Sequence, residues 1–329
     1  MLNPHVHLNP QVFNTGIEQV ATRVGYGIGL LKLGEENPNV VALCADLTES
    51  THTNKFAEKF PERFFEMGVA EQNMAAVAAG LAVSGKIPFI ASYATFSPGK
   101  NWETIRTTIV YNQANVKIAG HHSGIMTGPD GATHQATEDI AIMRCLPDIA
   151  VLVPCDAVEA EKATIYAGKV EGPVYMRFSR DKSPIITTRE TPFHFGKLQT
   201  FWTSENPEVT ILATGYMVYY ALLSAKYLEA EGISVLVANA ATIRPFDEKG
   251  LLELVEQTNA IVTVEDHQVA GGLGGLVAEV LARTIPSPME FIGLQNTFAE
   301  SGKPQELIEK YDMGVQAICK ATKKVIARK

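Results

Sequence analysis

The sequence predicts two consecutive α/β domains with mainly parallel sheets. Two observations predict it. Short apolar runs alternate with amphipathic stretches along the first 180 residues, and the same alternation resumes after residue 207. Strands buried on both faces read as near-continuous apolar runs, and covering helices fill the crossovers between them. Residues 183–207 break the rhythm with three prolines and many threonines, and read as a linker. The expected boundaries are therefore 15–182, 183–207 and 208–329.

In the first unit, "ATRVGYG" opens the first helix. The strands are "NVVALCADL", "KIPFIASYAT", "NVKIAGHHS", "DIAVLVPCD" and "GPVYMRFSR". The helices between them are "EQNMAAVAAGLAVSG", "WETIRTTIVYNQ", "ATEDIAIMRCL" and "AVEAEKATIYAGK". In the second unit, strands fall on "EVTILATG", "ISVLVANA", "AIVTVED" and "MEFIGL". Its helices fall on "YMVYYALLSAKYLEAEG", "DEKGLLELVEQ", "GLGGLVAEVLARTI" and "MGVQAICKATKKVIARK". The glycines of "GGLGGLVAEV" have the wrong spacing for either standard phosphate loop, so they read as a tight turn and close helix packing.

Composition excludes several function classes. A net charge of -8 argues against nucleic acid or a basic membrane-surface role. Cys44, Cys145, Cys155 and Cys319 have no C-x-x-C pairing and read as free thiols, mostly buried. No apolar stretch reaches membrane-spanning length, and "MLNPHVHLNPQ" does not read as a signal peptide. The expectation is a soluble cytoplasmic protein.

Ligands of open parallel sheets bind beyond the carboxyl ends of the strands. Four strands end there in polar or aromatic groups. They supply Asp46, Thr48 and Ser50; Phe96 and Trp102; His121, His122, Asp130 and His134; and Arg177 and Arg180. Three of the 8 histidines share one glycine-rich loop. Their spacing does not fit a structural zinc site, whereas donors and proton carriers around a polyhydroxylated substrate would suit them. Arg180 is either a solvated arginine or a phosphate anchor. Arg23 becomes a second anchor only if the fold brings it close.

Glu71 poses a separate question. It stands in the first turn of a helix, where an acidic residue also suits the macrodipole. It shares an apolar face with Met74, Ala78 and Leu81. Burying a carboxylate costs several kcal/mol, roughly, so the position asks for a chemical reason.

"GVAEQNMAAVAAGLA", "ATFSPGKNW", "GPDGATHQATEDIA" and "YMRFSR", in this order, resemble the pyrimidine-binding domain of transketolase. The unit after the linker resembles that family's C-terminal domain. The resemblance implies thiamine diphosphate as cofactor, with Glu71 bonded to its pyrimidine ring nitrogen and Phe96 stacked on that ring. Trp102 falls near a usual tyrosine, and Asp46 near the cofactor and a subunit interface. His122 and His134 would touch the donor sugar near its reacting carbons, and Asp130 would recognise a sugar hydroxyl. Arg23, Ser50 and Arg180 would hold a substrate phosphate. The implied reaction moves a two-carbon ketol unit from a ketose phosphate to an aldose phosphate, with Glu71, His122 and His134 in catalytic roles.

The pattern departs from the family at Gln72, Gly99 and Pro129. The sequence also contains no G-D-G, the mark of the domain that holds the diphosphate and its metal. The resemblance therefore implies the second half of a split transketolase. Its partner would be a separate N-terminal subunit holding most of the Mg or Ca site, with an α2β2 assembly. No metal ligand is expected in this chain. Three alternatives stay open: a deoxyxylulose-phosphate synthase-like chain, a 2-oxoacid dehydrogenase β-like subunit, and a non-catalytic scaffold.

Overall fold

The computed structural model describes all residues 1–329. In the first half the chain forms β1 (Gln19–Val20), α1 (Thr22–Glu36), β2 (Val40–Cys44), α2 (Asn54–Lys59), β3 (Phe64–Glu66), α3 (Glu71–Val83), β4 (Ile87–Tyr93) and α4 (Trp102–Thr104). It continues with β5 (Lys117–His121), α5 (Asp139–Arg144), β6 (Ala150–Leu152), α6 (Ala157–Lys169), β7 (Val174–Arg177) and β8 (Ser183–Pro184). The second half forms β9 (Gln199–Trp202), β10 (Val209–Ala213), α7 (Met217–Ala230), β11 (Val235–Asn239), β12 (Thr242–Arg244) and α8 (Glu248–Thr258). It ends with β13 (Ile261–Gln268), α9 (Leu273–Arg283), β14 (Met289–Leu294), α10 (Pro304–Lys310) and α11 (Val315–Ile326).

The first sheet runs β12-β6-β7-β5-β4-β2-β3, and every pairing in it is parallel except the edge strand β12. The second runs β14-β13-β10-β11-β9, parallel except at β9. Both match the expected class. The central strands are buried along their whole length, as apolar runs demand. Alternate side chains of β2 and β4 feed two cores. Val40, Ala42, Phe89 and Ala91 pack under α1 and α6. Val41, Leu43 and Ile90 pack with Met74 and Ala78 of α3, and this core continues into the second domain through Leu212, Leu236 and Leu254.

Three segments differ from the sequence reading. Residues 199–202, inside the stretch read as linker, form β9 and close one edge of the second sheet. The short strand β12 leaves the second domain and pairs with β6 of the first, Thr242 opposite Leu152. The N-terminal segment packs on the second domain: Asn3 N–H donates to Phe201 O at 2.9 Å, and Val6 and Val12 lie in its core. A buried ion pair, Arg177 Nε to Asp139 at 2.8 Å, sits at the domain junction, where Arg177 also donates to Asp266 O at 2.7 Å. No helix is long and apolar enough to cross a membrane. All four cysteines are free, and three are buried.

Candidate active site

The carboxyl ends of β2, β4, β5 and β7 lie side by side, so their loops converge on one rim. Glu71 starts α3, and only 1% of its surface is exposed. Of the face that the spacing predicts, Met74 and Ala78 are fully buried beside it and Leu81 is partly buried against the same core. The turn 95–100 after β4 covers it. Lys100 Nζ lies 3.2 Å from Glu71 Oε2, and Asn101 Nδ2 donates to the Glu71 carbonyl and to Ser97 Oγ. Glu71 Oε1 accepts no hydrogen bond within the chain, which leaves it free to meet a polar ring atom.

Phe96, in that turn, is half-buried. It stacks beside Tyr93 at 6.2 Å and meets His134 edge-on at 5.4 Å. The His122 ring lies on Tyr93, with centroids 3.7 Å apart and planes 23° apart. These aromatic groups form one continuous wall from the β4 turn to the β5 loop. Thr133 Oγ1 and His134 Nδ1 share a hydrogen bond at 2.8 Å.

Two arginines lie near this wall. Arg23, in the first turn of α1, donates from Nη1 to Ser50 O at 2.7 Å. Arg180, three residues past β7, donates from Nη1 to Thr127 O at 3.1 Å. Each side chain is anchored through one nitrogen, and Arg23 Nε is buried without a partner. Burial, and then Arg180, hold the Arg23 guanidinium below its ordinary value; Tyr93 and Asp181 act the other way. Burial pushes His122 down to about 3, helped by Arg23, Arg180, His134 and His52. His52 is pushed down by burial, then by Arg23 and Lys55. Two arginine guanidinium groups therefore lie close to imidazoles held neutral, an arrangement that would suit an anionic group.

The backbone is strained here too. Asp46, His52 and His122 adopt left-handed φ of 59°, 58° and 54°. Such conformations are costly for non-glycine residues and collect at functional sites. Buried polar atoms without partners also collect here: Ser92 Oγ, Thr95 Oγ1, Asn101 Oδ1 and His122 Nδ1 join Arg23 Nε. A well-packed core rarely leaves such atoms orphaned, so they ask for a bound polar group.

The fold thus brings together Glu71, Phe96, His122, His134, Arg23, Ser50 and Arg180. Asp130 is exposed at the end of the 125–130 turn, and its side chain touches none of them. Asp46 is also exposed; its N–H donates to Glu66 Oε1 at 2.7 Å, and Glu66 accepts from Thr48 Oγ1 as well. Trp102 donates its indole N–H to Ile142 O at 2.8 Å, so only its ring is available to a ligand. Sequence reading passed over Tyr93, His52, Lys100 and Glu66. Tyr93 looks like one more apolar residue at a strand end. His52 follows Ser50 in the same polar run, which was a usable signal. The glycine-rich "GGLGGL" turn contains no ligand cradle, because Glu265 accepts the Leu273 and Gly274 N–H groups itself at 2.7 and 2.8 Å.

Comparison with known proteins gives matches over both domains. Residues 18–185 match the family model "Transketolase, pyrimidine binding domain", and residues 200–318 match "Transketolase, C-terminal domain". The chain is 43% identical over 302 residues to a "Putative transketolase C-terminal section" of Methanocaldococcus jannaschii, covering 91% of this chain and 94% of that protein. It is 37% identical over 319 residues to the "6-deoxy-6-sulfo-D-fructose transketolase subunit SqwH" of Clostridium sp. (strain MSTE9), covering 97% and 98%. Among solved structures, a "Split gene transketolase, inactive beta4 tetramer" superposes with a TM-score of 0.87 at 45% identity, covering 94% of this chain and 99% of that one.

Proposed function

The chain belongs to the transketolase family, spanning its pyrimidine-binding and C-terminal domains, and from that premise we propose that it is the C-terminal subunit of a split transketolase, active only with an N-terminal partner. One observation carries the proposal. A buried carboxylate with a free oxygen lies under an aromatic turn, on the same rim as a cluster of arginines and histidines.

Thiamine diphosphate, when bound, supplies an acidic thiazolium carbon and an electron sink for cleaving the bond beside a ketose carbonyl. The residues present fit its pyrimidine end. Glu71 would meet the ring nitrogen and share a proton with it in a dry pocket, where low dielectric strengthens such a bond. Phe96 would cover the ring, with Trp102 and Asp46 at its margins. The partner would hold the diphosphate and its Mg or Ca, in an α2β2 assembly.

The cationic cluster would bind the far end of the sugar. Arg23, Arg180 and the Ser50 segment would take its anionic group. His122 and His134 would orient hydroxyls and move protons near the reacting carbons, and Asp130 would recognise a sugar hydroxyl. A sulfonated sugar named for one relative and a sugar phosphate both present the anion that this cluster suits. The substrate class is therefore a ketose with a terminal phosphate or sulfonate.

The test is Glu71→Gln, mixed with the partner subunit and assayed for ketol transfer. Positioned proton transfer is worth ~10²-fold or more, so most activity should vanish. Activity above about a tenth of wild type contradicts the assignment. Supplying pyruvate against a ketose phosphate separates this reading from the synthase-like and dehydrogenase-like alternatives.

A further inference from the structure

The loop from His122 to His134 is gripped from behind by the second domain. Ile125 N–H donates to Asp266 Oδ1 at 3.0 Å across the domain junction. Asp266 lies near the end of β13, at 3% exposure. The contact is too close for a side chain at Gly124: a Cβ there would come within 1.8 Å of Asp266 Oδ2, and Gly124 has φ of 72°. The far end of the loop is held in the same way. Gln135 Nε2 donates to Gly128 O at 3.3 Å and to Glu300 O at 3.1 Å. A Cβ on Gly131 would lie 2.4 Å from Ser301 Oγ. Neither grip touches Glu71 or the 95–100 turn.

We propose that Asp266 is a positioning residue for the substrate loop, and that the second domain serves as the rigid wall setting His122, Asp130 and His134 against the sugar. The inference rests on the function proposed above for its substrate, though not for its geometry. Asp266 accepts the Ile125 N–H, an otherwise buried donor that would cost free energy if left unpaired. That bond fixes where the loop leaves β5, and Gln135 fixes where it returns. The residues between them carry the sugar contacts, so loosening either grip should degrade sugar recognition before cofactor binding.

Two readouts test this. In the full chain, hydrogen exchange of Asp266→Ala should accelerate about ten-fold or more at amides 124–135, with α3 and residues 95–101 unchanged. Asp266→Asn keeps an acceptor for Ile125 and should restore most of the protection. In the complex with the N-terminal partner, Asp266→Ala should raise the KM for the ketose phosphate about ten-fold, with the thiamine diphosphate Kd within about two-fold. Gln135→Ala tests the second grip independently, should Asp266→Ala fold poorly, and should give the same selective pattern. Unchanged exchange and KM in a folded Asp266→Ala chain would overturn the proposal. So would uniform acceleration across both domains, which marks a merely structural role. A wild-type complex without ketol transfer would sink the proposed function, while the exchange measurement would still decide the positioning role.

Discussion

His122 shows how a site can be cationic in its surroundings yet neutral in its key ring. The imidazole is buried against Tyr93 and faces Arg23 and Arg180, so its value falls to about 3. In the unfolded chain it returns to the ordinary range near 6.5. Between those values the unfolded state binds the extra proton. Its share of stability is therefore complete above the ordinary histidine range and is lost as pH falls toward the folded value. His121, buried between Tyr26 and Phe178, and His52 are shifted in the same direction. We predict that His122→Gln unfolds at lower pH than wild type in an acid titration followed by circular dichroism. Near pH 8 the two chains should differ by less than about 1 kcal/mol. An acid midpoint that does not move would mean that the ring is solvated and its neighbours are not felt.

At the scale of elements, the arginine cluster depends on how closely α1 lies on α6. A Cβ on Gly25 would sit 2.0 Å from Ala157 O, so glycine is required there for close approach. Gly25→Ala should cost roughly 1–3 kcal/mol, read as a lower midpoint in denaturant. It should also weaken anionic-sugar binding, because Arg23 stands two residues away on the same helix. The long elements were legible because each carries its period within itself. Val40–Cys44 reads as a fully buried run, and Glu71, Met74 and Ala78 announce one helix face. The missed elements derive their structure from distant partners. Residues 242–244 form a strand only because Leu152 offers an edge, and 199–202 because β11 does. The site divides in the same way. The resemblance marked Glu71, Phe96, His134 and Arg180 by their motifs. Tyr93 becomes a site residue only when the sheet sets it beside His122, and Lys100 only when the turn folds over Glu71.

For the whole molecule, the notable surface is the outer side of α3. Ala76, Val77, Gly80 and Val83 face solvent, with Val83 at 82%, and Val69 just before the helix is exposed at 71%. Beyond Gln72 and Asn73 in its first turn this outer face is apolar, and an exposed apolar helix face is normally covered. Glu71 itself lies on the opposite, inner face of this helix and is already buried within the chain, so the exposed face is a surface for a partner rather than part of the carboxylate's pocket. In the proposed split enzyme that cover is the N-terminal subunit. Val77 is 37% exposed, so Val77→Lys should leave the lone chain folded, with stability within about 0.5 kcal/mol of wild type. In the assembly it would bury an unpaired charge, which costs several kcal/mol, roughly. We predict that Val77→Lys fails to co-purify with the partner at concentrations where wild type forms a complex of defined mass. Binding of thiamine diphosphate to the mixture should be lost in parallel. A Val77→Lys chain that assembles and binds the cofactor like wild type would place the subunit contact on another face.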